Sequence, residues 1–204
     1  MKNFIWDFDG TVFDSYPHIN KAFCLMLKNH DIKYDEEEVM SALKISFDNA
    51  YLKYSLTKHQ ITEFRNYSEQ IELQPEIKPY YDTKETLEYI SKNGGNNFIY
   101  THRDNESLSY YLKKYNMYNM FLGIVTADDG FLRKPSPDAV SFMIEKYNMD
   151  KNNTIMIGDR EIDVLSGMNA GVHGGLLVRE NKEGITSAKY VFKNLHSVKK
   201  LISE

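Results

Sequence analysis

The sequence predicts an α/β fold in which a parallel sheet is covered by helices on both sides and is interrupted by an inserted α-helical domain. Two observations predict this fold. Short apolar runs alternate with segments of helical spacing through most of the chain, which is typical of sheets built from strand–helix–strand units. Between about Asp14 and Pro79 the alternation stops, and only helical patterns remain.

The predicted strands are five apolar runs, each short enough to be buried on both faces of a sheet. They are residues 4–6, 98–100, 121–125, 154–157 and 176–178. The helices predicted between the later strands are residues 83–92, 105–115, 138–147 and 163–169, with Thr83 and Asp138 as candidate N-caps. Right-handed crossovers then give a three-layer, Rossmann-like core that binds ligands beyond the carboxyl ends of its strands.

The inserted segment has helical patterns over residues 18–29, 35–43, 47–56 and 60–73. Pro75 and Pro79 mark its exit. We therefore predict a core domain of residues 1–14 and 80–204 and a helical cap domain of residues 15–79. Residues 12–16 and 78–83 would be the connectors that can act as hinges.

Composition excludes several classes of partner. The 204 residues carry a formal net charge of −4 with dispersed basic residues, so a nucleic-acid partner is not expected. The single cysteine, Cys24, cannot form an internal disulfide. The apolar start is too short for a signal peptide, and no apolar run approaches ~18 residues. We expect a cytoplasmic protein without a membrane partner, either a monomer or a homodimer.

Asp7 and Asp9 directly follow the first apolar run, and Gly10 then permits a sharp change of direction. Residues two apart on an extended chain point to the same side, and two carboxylates so close repel unless a cation or a proton intervenes. We expect Asp7 to stay ionised against a divalent cation and to attack the phosphorus atom of a phosphorylated substrate. Asp9 would hold a proton for the leaving oxygen and then take one from the incoming water. The alternative is an acidic pair that binds a structural ion or caps a turn.

Thr101 and Lys134 are the candidate phosphate-binding groups. Thr101 ends the second apolar run, where its hydroxyl and the next amide can donate to a phosphoryl oxygen, although a threonine there can also be a plain β-former. Lys134 precedes Pro135, which fixes the local backbone and can hold the ammonium inward. An ordinary exposed lysine is the alternative.

Asp159 and Asp163 complete the acidic set. They follow the run of residues 154–157 and are four residues apart, one helical turn if a helix begins between them. Carboxylates without His or Cys favour Mg²⁺ over zinc. Asp159 would be a direct ligand and Asp163 either a second-shell group or a ligand through water. Asp163 could instead be an acidic residue that stabilises a helix N-terminus.

In this order the motifs resemble those of the haloacid dehalogenase superfamily, in the subfamily with a helical cap that includes phosphoglycolate phosphatases and β-phosphoglucomutases. Residues 7–15 resemble its first motif, Thr101 the second, Lys134-Pro135 the third, and residues 158–163 the fourth. The resemblance implies that Asp7 is the nucleophile and a Mg²⁺ ligand. It also implies that Asp9 binds the metal through its main-chain carbonyl, and that the cap closes over the substrate.

The substrate contacts are predicted on the same motifs. We assign them to Gly10, Thr11, His102 and Arg103. Arg103 could bind a carboxylate or a second phosphate with its planar fork, or it could be an exposed arginine at the start of a helix. The segments 78–82 and 42–47 lack glycines that many relatives carry there, so the resemblance does not transfer a named substrate.

The predicted function is a Mg²⁺-dependent phosphatase of a small phosphorylated metabolite, acting through an aspartyl-phosphate on Asp7. A phosphomutase of the β-phosphoglucomutase type is the nearest alternative, because it differs only in keeping water from the phospho-aspartate. A phosphonate hydrolase would need an imine-forming cap lysine, for which Lys44 and Lys53 are available. A non-catalytic phosphate-sensing module resembling a receiver domain is disfavoured by the helical insert directly after the acidic pair.

Overall fold

The structure is a computed structural model that describes residues 1–69, 77–179 and 186–202. The chain divides into two compact units. The first comprises Met1–Phe13 with Pro79–Glu204, and the second comprises Asp14–Lys78. Each has its own buried apolar cluster, as expected of units with separate cores. The function of the second unit as a cap stays a prediction.

The first unit is built on a six-stranded sheet. Its strands are β1 Asn3–Trp6, β4 Asn96–Tyr100, β5 Gly123–Val125, β6 Thr154–Gly158, β7 His173–Leu177 and β8 Tyr190–Phe192. Their order is β5-β4-β1-β6-β7-β8, and every neighbouring pair is parallel. The predicted α/β fold is confirmed, and β1 lies inside the sheet between β4 and β6.

A second, two-stranded sheet pairs β2 Phe13–Asp14 with β3 Lys78–Pro79. The helices in chain order are α1 Tyr16–Asn29, α2 Glu36–Ile45, α3 Phe47–Lys53, α4 Lys58–Glu69, α5 Thr83–Lys92, α6 Asn105–Lys114, α7 Asp138–Lys146 and α8 Glu161–Asn169. Short 3₁₀ segments lie at Tyr118–Met120, Ala127–Asp129, Lys151–Asn153 and Leu195–Ile202.

Alternate residues of β1 show that helices cover both faces of the sheet. Ile5 belongs to a buried cluster with Val140 and Met143 of α7. Trp6 points to the opposite face, where its indole donates to Oδ1 of Asn97 at 3.0 Å. The amide of Asn97 in turn donates to the carbonyl of Leu87 in α5 at 3.0 Å. The sheet is therefore the middle of three layers.

Among its described residues, the second unit has the four helices α1 to α4 and a core of its own. Aromatic and aliphatic side chains including Phe23, Leu27, Leu43 and Phe64 are fully or almost fully buried there. Two helices begin at polar caps, since the side chain of Asp35 accepts from two amides of α2 and that of Ser46 accepts from the amide of Asn49. Such caps satisfy amides that have no partner within the helix.

Several predicted boundaries differ from the observed ones by one to three residues. The predicted caps Thr83 and Asp138 are the first helical residues of α5 and α7, and the N-caps are Asp82 and Pro137. No strand was predicted between 14 and 79, but the two-residue strands β2 and β3 lie at the two ends of this segment. The last part of the helix predicted over 60–73 and Pro75 lie outside the described residues.

Within the described part of the chain, no helix combines the length and apolar character needed to cross a membrane.

Candidate active site

The site forms where the central strands end, and all its residues belong to the first unit. Asp7 directly follows β1, Thr101 follows β4 and Asp159 follows β6, while Lys134 lies in the segment after β5. Because neighbouring parallel strands end at the same edge of a sheet, these four side chains come from distant parts of the chain to one place. The sequence predicted this convergence.

The turn after β1 places the acidic pair. Gly10 has a φ of 78°, a left-handed conformation that favours glycine. The amides of Val12 and Phe13 both donate to the carbonyl of Phe8, at 3.1 and 3.0 Å. The carboxylates of Asp7 and Asp9, on either side of Phe8, have different partners.

Asp7 is paired with Lys134 in the interior. The ammonium of Lys134 donates to Oδ1 of Asp7 at 2.5 Å and to the carbonyl of Tyr100 at 2.9 Å. It also lies 2.8 Å from Oδ1 of Asp163. All three charged side chains are at most 1% exposed. Lys134 precedes a cis peptide bond to Pro135.

The charges of this cluster do not balance. Asp7, Asp159 and Asp163 face two cations, Lys134 and the more distant Arg160, whose Nε is 3.8 Å from Asp163. Burial raises the pKa of Asp7 from 3.8 to about 7, although Lys134 acts to lower it. The pKa of Lys134 is raised, because its carboxylate neighbours outweigh the lowering effect of burial. Lys134 is thus the fixed cation, and Asp7 is the carboxylate whose charge depends on a proton or a further cation.

Three carboxylates could hold a metal ion. Asp7, Asp159 and Asp163 each offer an oxygen, and these oxygens lie within 4.8 Å of one another. Oδ2 of Asp7 is buried and has no hydrogen-bond partner among the described residues. A hard divalent cation such as Mg²⁺ fits both the oxygen donors and the excess negative charge. The carboxylate of Asp9 is not in this group. The metal contact predicted for the main-chain carbonyl of Asp9 stays a prediction.

Asp9 is instead bound by Arg103. The guanidinium donates to Oδ1 at 2.6 Å and to Oδ2 at 3.4 Å, and it donates to the hydroxyl of Ser107 at 2.7 Å. Its carbon lies 5.3 Å from the centroid of the Phe8 ring. The side chain of Arg103 is only 7% exposed, so the alternative of an exposed arginine is wrong. The ring and the ion pair cover it.

Three more of the predicted site residues have hydrogen-bond partners within the protein. Nε2 of His102 accepts from the main-chain N–H of Lys134 at 2.9 Å. Burial lowers the pKa of His102 to about 2, with Lys134 and Arg133 adding to the effect, so the ring is neutral and can accept. The hydroxyl of Thr101 accepts from the amide of Arg103 at 3.1 Å. The hydroxyl of Thr11 donates to Asp159 at 3.3 Å.

The sequence did not indicate Tyr100 and Arg160 as members of the site. Tyr100 contributes its main-chain carbonyl, and its ring centroid lies 4.6 Å from the ammonium of Lys134. Every residue type has a main-chain carbonyl, so the identity of Tyr100 could not indicate this contact. Its position next to Thr101 at the end of a strand could have indicated that it belongs to the site. Arg160 directly follows Asp159, and its amide donates to Oδ2 of Asp163 at 3.1 Å.

The fold and the site together define a hydrolase built on a three-layer α/β core. The family model of haloacid dehalogenase-like hydrolases matches residues 4–177. The chain belongs to this family, and the resemblance inferred from its four motifs is confirmed.

Individual relatives agree with this assignment. The chain is similar to pyrophosphatase PpaX of Oceanobacillus iheyensis, with 26% identity over 176 residues that cover 84% of this chain and 81% of the relative. It is 27% identical over 171 residues to pyrophosphatase PpaX of Bacillus mycoides, covering 82% and 79% of the two chains. A crystal structure named as a predicted phosphoglycolate phosphatase from Haemophilus somnus shares the fold, with a TM-score of 0.83, 18% identity and coverage of 100% and 98%. The chain is therefore a member of a family of hydrolases.

Proposed function

We propose that this chain is a Mg²⁺-dependent phosphatase that hydrolyses phosphate monoesters of small metabolites through an aspartyl-phosphate on Asp7. One observation carries the proposal. Asp7 is buried with one carboxylate oxygen on Lys134, and its other oxygen has no hydrogen-bond partner among the described residues. A carboxylate held in this way is oriented for attack and is not neutralised by a full set of donors.

Asp7, Asp159 and Asp163 would hold the Mg²⁺ ion. The ion would supply positive charge to a transferring phosphoryl group and to the carboxylates around it. Lys134 adds a fixed ammonium at the same place. With these cations in position, Asp7 can stay ionised at neutral pH despite its burial.

The chemistry has two displacements. In the first, an oxygen of Asp7 forms a bond to phosphorus and the bond from phosphorus to the ester oxygen breaks, while Asp9 gives its proton to the leaving alkoxide. In the second, water attacks phosphorus, Asp9 takes a proton from the water, and the bond from phosphorus to Asp7 breaks. The sum is one ester and one water converted to one alcohol and one phosphate.

The pair of Asp9 with Arg103 bears on the proton transfer. Both carboxylate oxygens of Asp9 accept from the guanidinium, so a proton held by Asp9 has to compete with Arg103 for one of these oxygens. We propose that Arg103 moves off Asp9 when substrate binds and donates to a substrate oxygen. His102 would act on the substrate indirectly, by holding the main chain of Lys134.

The substrate class is a small molecule with a terminal phosphoryl group. The structural neighbour makes phosphoglycolate a candidate monoester. The relatives named as pyrophosphatases make inorganic pyrophosphate, a phosphoanhydride rather than a monoester, an alternative candidate. Both carry a second anionic group, for which the guanidinium of Arg103 is a suitable partner.

The test is phosphate release from p-nitrophenyl phosphate, phosphoglycolate, sugar phosphates and inorganic pyrophosphate, measured with Mg²⁺ and with EDTA. We expect release that requires Mg²⁺, and its ranking assigns the substrate class. Asp7→Asn should lower kcat to background without unfolding the protein, because an amide cannot form the phospho-enzyme. Asp31→Asn, at an exposed carboxylate, is the matched control and should retain the wild-type rate.

Two results would contradict the proposal. Turnover near the wild-type rate in Asp7→Asn would exclude Asp7 as nucleophile. Isomerisation of a sugar phosphate that depends on a bisphosphate, with no phosphate release from any ester, would instead establish the phosphomutase alternative.

A further inference from the structure

The second unit carries a group of metal-ligating side chains that the proposed phosphatase does not use. His30, His59 and Glu63 each offer one ligand atom, and these atoms lie within 4.8 Å of one another. The three residues belong to the unit of Asp14–Lys78. They include two imidazoles, whereas the group around Asp7 has carboxylates alone.

The helices of this unit bring the three residues together. His59 and Glu63 are four residues apart on α4, so they lie on one face of that helix. His30 is the C-cap residue directly after α1. The two helices pack against each other through a buried contact in which the rings of Phe23 and Phe64 are 5.0 Å apart. The core of the unit therefore fixes the backbone positions of all three side chains.

Glu63 is oriented by partners on its far side. Its Oε1 accepts from the hydroxyl of Tyr67 at 2.7 Å, and the amide of Asn29 donates to that hydroxyl at 2.9 Å. Its Oε2 is thereby turned toward Nε2 of His30, 2.6 Å away. Carboxylates that bind metals typically have such a second hydrogen bond, which sets their orientation and basicity.

The hydrogen bond between His30 and Glu63 does not involve His59. The rings of His30 and His59 are 6.2 Å apart and nearly perpendicular, and His59 is exposed. His59 supplies the third donor that a metal requires. The side chains of His30 and Glu63 are 29% and 20% exposed, so an ion can reach them.

We propose that His30, His59 and Glu63 form a binding site for a transition-metal ion, with Zn²⁺ as the preferred occupant and water in the fourth position. Two imidazoles and one carboxylate are a donor set suited to zinc. Tetrahedral coordination at about 2.0–2.1 Å places neighbouring ligand atoms roughly 3.3 Å apart. The contact between His30 and Glu63 has to lengthen and His59 has to approach, and rotation of surface side chains achieves both. The ion would join the end of α1 to α4.

The test uses Co²⁺ as a spectroscopic probe for the full chain, stripped with EDTA and returned to excess Mg²⁺ so that the carboxylate group around Asp7 is filled. We expect one Co²⁺ per chain with the visible absorption of a tetrahedral ion, displaced by Zn²⁺. His59→Ala should lose more than the roughly 10–100-fold in affinity that removal of a second-shell partner costs. His59 is exposed, so the variant should keep its circular dichroism spectrum and its thermal midpoint in EDTA.

Two further variants sharpen the result. Tyr67→Phe keeps the ring and removes the hydroxyl that orients Glu63, so it should weaken Co²⁺ binding about 10-fold or more. His196→Ala is the matched control, because His196 also contacts a glutamate, Glu85 at 3.1 Å, and it should bind Co²⁺ as the wild type does. No tetrahedral absorption in the wild type, or an unchanged affinity in His59→Ala, would overturn the proposal.

Discussion

Asp7 is a residue of the site whose pKa responds clearly to burial among other charges. Its pKa is raised to about 7 because burial disfavours the carboxylate and Lys134 only partly compensates. The folded protein without metal therefore binds a proton at Asp7 in a pH range where the unfolded chain, with a pKa of 3.8, does not. Between these two pKa values the unfolded state binds fewer protons, so stability falls as pH rises.

Asp7→Asn should reveal this dependence, because an amide has no charge to bury. In EDTA, the thermal midpoint of the variant relative to the wild type should increase as pH rises from about 4 to about 7 and then level off. Each 1 kcal/mol gained corresponds to roughly 2–4 °C in a chain of this size. Thermal unfolding followed by circular dichroism across this pH range measures the difference.

Asp31→Asn provides the reference for the same experiment. Other carboxylates titrate in both proteins of a pair, so their effects cancel in the difference. A difference between Asp7→Asn and the wild type that is constant with pH would show that the raised pKa of Asp7 is wrong.

The positions of the site residues were predictable, but their pairings were not. Asp7, Thr101 and Asp159 each follow a strand, and a parallel sheet brings such positions together whatever the details of packing. The contact of Arg103 with Asp9 joins residues 94 positions apart. It depends on rotamers and on the covering ring of Phe8, which no local pattern records.

Among the elements, strongly periodic segments were predicted well, whereas the short strands β2, β3 and β8 were missed. The helix predicted over 83–92 is observed as α5 with the same bounds, since its apolar positions recur with helical spacing. Strand β8 was not predicted, although Tyr190, Val191 and Phe192 are residue types that favour strands. Three such residues form a strand here because they pair with β7. The two-residue strands β2 and β3 are defined by pairing alone.

The end of β6 meets the first turn of α8 so closely that only glycine fits. A Cβ added to Gly158 would lie 2.3 Å from the Cβ, Cγ and Oδ2 atoms of Asp163. Asp163 cannot retreat freely, because Oδ2 accepts from the amide of Arg160 and Oδ1 lies beside Lys134. The position of this carboxylate is thus tied to the strand that precedes it.

Gly158→Ala should displace Asp163 and with it the ammonium of Lys134. We expect a loss of about 1–3 kcal/mol in the free energy of unfolding from overpacking. Displacement of the charged groups by about 1 Å would lower kcat roughly 100-fold. Denaturant titration and Mg²⁺-dependent phosphate release measure the two effects.

Gly175→Ala separates packing from chemistry. Its Cβ would meet the side chains of Phe192, Ile155 and Ile157 at 3.0–3.1 Å, away from the carboxylates. It should reduce stability and leave kcat near the wild-type value. Equal losses of kcat in the two variants would mean that the position of Asp163 is not what Gly158 protects.

At the scale of the whole molecule, one buried carboxylate joins three distant parts of the chain in the first unit. Asp82, the N-cap residue of α5, is fully buried. It accepts from the guanidinium of Arg179 at 3.1 and 3.3 Å and from the amide of Leu195 at 2.7 Å. Arg179 also donates to the carbonyl of Thr11 at 3.1 Å. These contacts connect the start of α5 with the turn after β1 and with the chain beyond β7.

Asp82→Asn keeps the volume of the side chain and removes its charge, so it isolates the electrostatic part of this connection. With its oxygen in the place of Oδ2, the amide of Asn still accepts from Leu195 and from one guanidinium nitrogen, but its NH₂ faces the other nitrogen of Arg179. Hydrogen bonds to charged groups contribute about 1.5–3 kcal/mol. We therefore expect the free energy of unfolding to fall by about 2–3 kcal/mol and the thermal midpoint to fall by roughly 5–10 °C. Thermal and denaturant unfolding of the full chain measure both quantities.

Glu85→Gln is the matched control for Asp82→Asn, because Glu85 lies on the same helix and pairs with Lys199 at 2.6 Å while its side chain is 68% exposed. Water screens a pair of this kind, so the variant should leave the midpoint nearly unchanged. An equal effect of the two substitutions would mean that the Asp82 contacts contribute no more than a surface pair. A large effect of Asp82→Asn alone would assign the cohesion of the first unit to a carboxylate whose partners lie 97 and 113 residues away.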